Sequence, residues 1–172
     1  MKYLSIIALV VLTSVRASFA QDKAKIKATA VICAEAFKKG DYATMADHTY
    51  AGMLAKMGGK KGFVQLLNQT MGAMKTQGLS VEKVVIGEPG PILPAGKELH
   101  SLVPQTVTVK MQGKYITSTT HLLAVSSDKG KTWTFVDTSN GSPEQIKKVF
   151  PTWNDKLILT PPTKPVYSDK MP

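Results

Sequence analysis

The hydrophobic period of the chain changes once, at Gly78. Before it, apolar residues recur at helical spacing; after it, they alternate as they do in strands. Phe63, Leu66, Leu67, Thr70, Met71 and Met74 form the last helical stripe, and Leu79 to Ile86 reads as the first strand. Helices gathered in one half and strands in the other imply an α+β class, with N-terminal helices packed on one face of a four-stranded antiparallel sheet.

Local signals divide each half further. Lys23 to Lys39 keeps helical spacing, and Lys38, Lys39 and Gly40 give a basic last turn followed by a glycine stop. Asp41 can cap a second helix through Tyr42, Met45 and Ala46 toward His48, and Tyr50 to Met57 reads as a further short helix that Gly58-Gly59 breaks. Past Gly78, the proline-rich stretch from Gly87 to Lys97 reads as an irregular loop. His100 to Met111 and Lys114 to Ser126 are strands joined by Gln112-Gly113, and Lys131 to Asp137 is the fourth. Ser142-Pro143-Glu144-Gln145 is a capping box that opens a short helix ending before Pro151, and the segment from Thr160 onward is an extended tail.

The N-terminus carries Lys2, an apolar run from Leu4 to Leu12, and Ser18-Phe19-Ala20 before Gln21, the pattern of a cleaved secretory signal. Residues 1–20 are therefore read as a leader, 21–159 as one domain, and 160–172 as a proline-rich tail, with the product periplasmic or secreted. No later stretch approaches the roughly 20 apolar residues a membrane span needs. The 172 residues hold one cysteine, Cys33, which cannot form an internal disulfide. It shares a helical face with Ile26, Ala30 and Phe37, which reads as core. The formal net charge is +10 and falls by two when Lys2 and Arg16 leave with the signal. Arg16 is the sole arginine, so the mature domain lacks the planar fork that reads phosphates and guanine edges, and specific nucleic-acid binding is not expected.

The order of elements, the segment FKKGDYATMADHTY from Phe37 to Tyr50, and the three long C-terminal strands resemble the nuclear transport factor two-like superfamily. That group includes ketosteroid isomerase and the polyketide cyclase-like (SnoaL-like) proteins. The resemblance implies that the sheet is curved into a cone with a pocket between helices and sheet. It also implies a carboxylate acting as base in those relatives that are enzymes, and pairing of subunits through the outer sheet face. Here that face would present Thr106, Thr108, Tyr115, Thr117 and Thr119 for a homodimer.

Strand register decides what such a pocket would contain. A two-residue turn at Gln112-Gly113 sets Met111 opposite Lys114, which puts Val103, Gln105, Val107 and Val109 on one face with Ile116, Ser118, Thr120 and Leu122. The other face, with His121 and the threonines, is expected to meet water. A four-residue loop from Ser127 to Gly130 would pair Trp133 with Ala124, Phe135 with Leu122 and Asp137 with Thr120. Asp137, Thr120 and Gln105 then form one polar row on an apolar surface, where polar groups need partners or a purpose. The sequence reading gives Asp137 two roles, as acid or base in the pocket or as a rim residue capping the Ser139–Gly141 turn.

His48, Tyr42 and Tyr50 lie where the second helix would close the cone, and Met71 and Met74 belong to a methionine-rich helical wall. The candidate catalytic residues are Asp137 and His48. The candidate ligand contacts are Gln105, Thr120, Trp133, Phe135, Tyr42, Tyr50, Met71 and Met74. No His, Cys and carboxylate cluster with ligand spacing appears, so neither metal nor cofactor is expected. Ser126, Asp128, Gly130, Thr132 and Trp133 match the Asp-box pattern of sialidase propellers; a single copy reads as a structural turn. No nucleophile elbow, phosphate loop, dinucleotide fingerprint or metalloprotease helix is present, so the sequence leans away from an enzyme. The leading expectation is a domain binding a small apolar or amphipathic ligand. The alternatives are a cofactor-free isomerase or cyclase-like enzyme using Asp137, and a protein-interaction module.

Overall fold

The computed structural model describes residues 4–139 and 141–172, with side chains from Gln21 onward. The leader proposed for residues 1–20 lies outside the residues whose side chains are described. Among the described residues no helix is long and apolar enough to cross a membrane.

The protein is α+β, with N-terminal helices and a strongly curled antiparallel sheet. α1 (Leu4–Lys39) ends on Lys38 and Lys39, and Gly40 just beyond takes the left-handed φ of +73° that closes the helix. Asp41 caps α2 (Tyr42–Asp47), its carboxylate accepting from the Thr44 N–H at 3.1 Å. α3 (Ala51–Lys56) and α4 (Gly59–Thr76) follow. The strands are β1 (Leu79–Ile86), β2 (Leu93–Ala95), β3 (Glu98–Met111), β4 (Lys114–Ser126) and β5 (Thr134–Asp137). α5 (Pro143–Val149) starts on the expected capping box, with Ser142 and Gln145 each bonding the other's backbone, and β6 (Val166–Ser168) comes last. The sheet runs β1-β3-β4-β5, with β2 added to β3 and β6 to β4.

Gln112 (φ +50°) and Gly113 (φ +82°) are both left-handed, the geometry of a primed two-residue turn, and Met111 pairs with Lys114 as the turn requires. The β3–β4 register is then unbroken up to the Leu99–Ser126 pair. In β1 the register shifts between Val81 and Lys83, and Glu82 is the extra residue. This bulge lets Val81 and Val84, three residues apart, both face the helices opposite Val109 and Val107.

Four expectations are corrected. The β4–β5 connection is seven residues, Ser127–Trp133, and Phe135 lies opposite Ala124 and Asp137 opposite Leu122, each two positions from the expected partner. Asp128 causes this: one oxygen accepts from Ser126 Oγ (2.8 Å) and Thr132 N–H (2.9 Å), the other from Thr132 Oγ1 (2.7 Å), drawing Thr132 into the turn. Gly130, at φ +86°, comes so close to Asp22 of α1 that an added Cβ would lie 3.3 Å from its carboxylate. Because the shift is two residues, every side chain keeps its face. The second and third corrections are β2, inside the stretch read as irregular loop, and β6, inside the tail.

The fourth concerns the outer face, which is covered at one end. Leu102, Leu123, Val125 and Val136 are buried there beneath Ile146, Phe150, Leu157 and Leu159. Burying such a side chain is worth roughly 1.5–3 kcal/mol, enough to draw an otherwise irregular segment onto the sheet. On the inner face Ile26, Ala30 and Ala34 of α1 pack against Ile86, Val103, Leu122, Ala124, Trp133 and Phe135, with Cys33 half-buried alongside. Ala46, Leu54 and Phe63 bind α2, α3 and α4 together. Residues 48–50 close the free edge of β5: Phe135 donates to the His48 carbonyl at 2.8 Å and accepts from Tyr50 N–H at 3.0 Å.

Candidate functional site

The concave inner face has two parts. Where α1 crosses it, Val103, Leu122, Ala124, Trp133 and Phe135 are buried. Toward the β3–β4 turn, Val107, Val109, Ile116 and Ser118 share the same face but are only half-buried. The polar row sits at the boundary. Gln105 (8 % exposed) pairs with Thr120 (6 % exposed) across β3 and β4. Gln105 Nε2 donates to Asp137 Oδ2 at 3.1 Å, and Asp137 Oδ1 accepts from Ser139 N–H at 2.8 Å. Asp137 is exposed, whereas Thr120 Oγ1 is buried without a hydrogen-bond partner. A buried hydroxyl left unpaired costs about 1–3 kcal/mol unless something else satisfies it.

The row can orient a polar atom through a hydroxyl and an amide while apolar valines and Ile116 receive the rest of a molecule. The remaining sequence candidates do not all converge on it. Trp133 (3 % exposed) and Phe135 (5 %) are core, locked against α1. Tyr42 is buried at the start of α2. His48 ends α2, its N–H bonding the Met45 and Ala46 carbonyls, and its own carbonyl accepts from the N–H of Phe135, two residues before Asp137. Met71 is half-buried and Met74 exposed on α4, while Met45 and Met57 pack among α2, α3 and α4 and Met53 joins the opposite core, so the methionines do not line one wall.

Tyr50 belongs to a different cluster. Its hydroxyl donates to Glu98 Oε1 at 3.2 Å, and Ser127 Oγ donates to the same oxygen at 3.0 Å. The other oxygen, Oε2, lies 3.0 Å from Nε2 of His100, which is fully buried. Burial and the neighbouring Glu98 charge push the Tyr50 phenol upward. The His100 ring meets Phe150 edge-on, its centroid 5.4 Å away, with Trp153 at 6.4 Å. The sequence analysis places His100 at the start of a strand and gives it no role in a site. The signal was the Glu98-x-His100 spacing, since residues two apart on a strand share a face. Ser127 reaches the carboxylate and not the imidazole, so the group is not an acyl-transfer triad.

Two surface grooves lie elsewhere. One of about 310 Å³ on the outer face is lined by Pro91, Leu102, Pro104, His121, Leu157 and Ile158. His121 occupies the outer face, as its register requires, and burial holds its imidazole below the ordinary range. The other, about 320 Å³, lies between α1 and the start of α2, beside Val31 and Ile32. Among the described residues no three His, Cys, Asp or Glu side chains converge as a metal site. Set against known protein families, curated proteins and solved structures, the chain finds no match.

Proposed function

We propose that the protein is an exported, non-catalytic binding domain of nuclear transport factor two-like architecture. It holds a small apolar or amphipathic molecule on the half-open part of the concave face, over Val107, Val109 and Ile116. The observation that carries this reading is Thr120 Oγ1, buried and unpartnered beside a Gln105 amide already oriented by Asp137. A ligand hydroxyl or carbonyl that displaces the side chains covering this atom would supply the missing partner. Export rests on the residue pattern of 1–20. Acid–base catalysis by Asp137 fits less well, because its carboxylate is exposed and both oxygens are engaged by Gln105 and Ser139.

The test is native mass spectrometry of protein purified from its own envelope fraction, followed by titration of the wild type and Thr120→Val with a fluorescent fatty acid. Removing one ligand hydrogen bond while keeping shape should weaken binding about fivefold. Equal affinity for the two proteins, with no retained mass in the wild type, would dispose of this site.

A further inference from the structure

The outer edge of β4 has two occupants. β5 pairs with Leu122–Val125, and the tail covers the stretch nearer the turn, pairing Tyr115 with Ser168, Ile116 with Tyr167 and Thr117 with Val166. Thr163 extends this: its N–H donates to the Thr119 carbonyl at 2.9 Å, and its hydroxyl accepts from Thr119 N–H at 2.8 Å. Without the tail, the alternate residues Tyr115, Thr117 and Thr119 of β4 would present unpaired backbone groups, a template for any strand that reaches them.

The tail satisfies this edge almost wholly through its main chain. Val166 and Tyr167 are each 65 % exposed, so neither anchors the segment in its own core. The last side chain that does so is Leu159, in the outer-face cluster. Thr160-Pro161-Pro162 follows, and consecutive prolines hold a chain extended rather than folding it back. A strand held by backbone bonds makes the same bonds on any copy of the same edge. Among all extended segments, the one whose fit to this edge is guaranteed, down to the Thr163–Thr119 pair, is the tail of another molecule.

We propose that β6 is an exchangeable strand: residues 163–168 of one molecule seat on the β4 edge, Tyr115–Thr119, of a second copy. The linker from Leu159 is short, so each molecule's own edge is favoured at low concentration, and exchange grows as the protein is concentrated.

The test uses full-length chains with cysteines at one register pair. The double variant T117C/V166C should close on itself in a glutathione buffer at low concentration, which also reports that the variant folds with β6 in place. An equimolar mixture of T117C and V166C, concentrated and oxidised, should give a mixed disulfide dimer by mass spectrometry. Its yield should exceed that of T117C mixed with E144C, an exposed α5 control, by about tenfold, and rise with concentration. Cys33 is present in both mixtures and burial pushes its thiol up to about 12, so it does not distinguish the two yields. Equal yields from the two mixtures at every concentration would overturn the proposal, as would failure of the double variant to close.

Discussion

Gln105 and Asp137 bond at 3.1 Å although β4 lies between their strands. The bond crosses β4 on a diagonal, since Gln105 pairs with Thr120 and Asp137 with Leu122, two residues along the same strand. A flat sheet would hold residues on β3 and β5 nearly 10 Å apart. Curling the sheet toward the helices draws inner-face side chains together, so the long amide spans the gap. The bond therefore reports the curvature of the sheet as well as the polarity of the candidate site.

Removing the acceptor should expose that coupling. Asp137→Ala leaves the buried Gln105 amide and the Ser139 N–H without their carboxylate, an expected loss of about 1–3 kcal/mol in urea unfolding. Gln105→Leu removes donor and burial cost together and should be milder. In the double-mutant cycle the two changes should couple by about 0.5–1.5 kcal/mol. Strict additivity would mean that the two side chains act independently.

Much of the architecture was readable because it rests on local chemistry. Gln112-Gly113 fixes the β3–β4 register by itself, and Ser142 with Gln145 fixes the start of α5. The β5 register was not readable from loop length. Its extra two residues come from Asp128 grasping Thr132, a side-chain contact that leaves no trace in hydrophobic period. The in–out alternation survived because the slip was even. Leu157 and Leu159 were hidden for another reason. They bury themselves in a segment between prolines with no repeating pattern, and only the apolar end of the outer face explains their position. Tyr50 was assigned to the concave site from its place after α2, yet its phenol reaches Glu98 in a contact 48 residues away in sequence.

The Asp128 turn should make stability sensitive to acid. Hydrogen bonds from the Thr132 backbone and hydroxyl, then from Ser126, hold the Asp128 carboxyl at about 2 against its ordinary 3.8. A value depressed by folding means that the ionised group favours the folded state. Its contribution is complete above about pH 4, declines as pH falls toward 2, and vanishes below. Asp128→Ala should lower the urea midpoint at pH 7, and the gap to wild type should close between pH 4 and 2. A gap that stays constant across that range would remove the carboxylate from the account of the turn.

The Tyr50–Glu98–His100 cluster joins the start of α3, the start of β3 and the aromatic residues after α5. His100 is fully buried, so His100→Ala should leave a cavity beside Phe150 and Trp153 and cost about 2–4 kcal/mol. Tyr50→Phe deletes only the hydroxyl bonded to Glu98 and should cost about 1 kcal/mol. Trp153 fluorescence should change in the first variant more than in the second. A His100→Ala protein as stable as wild type would show that the C-terminal segment does not depend on this imidazole.

Cys33 faces the α1–sheet core, and burial pushes its thiol up to about 12. The reactive thiolate is then scarce at pH 8, where an unperturbed cysteine of ordinary value 9.0 is about one-tenth ionised. Labelling with a disulfide reagent at pH 8 should therefore be slower in the folded protein than in urea by at least about a hundredfold, from thiolate fraction and access together. Because Cys33 packs half-buried against the α1–sheet core, the labelling rate across a urea series should rise as α1 detaches. Labelling in buffer alone as rapid as in urea would show that burial does not hold this thiol protonated.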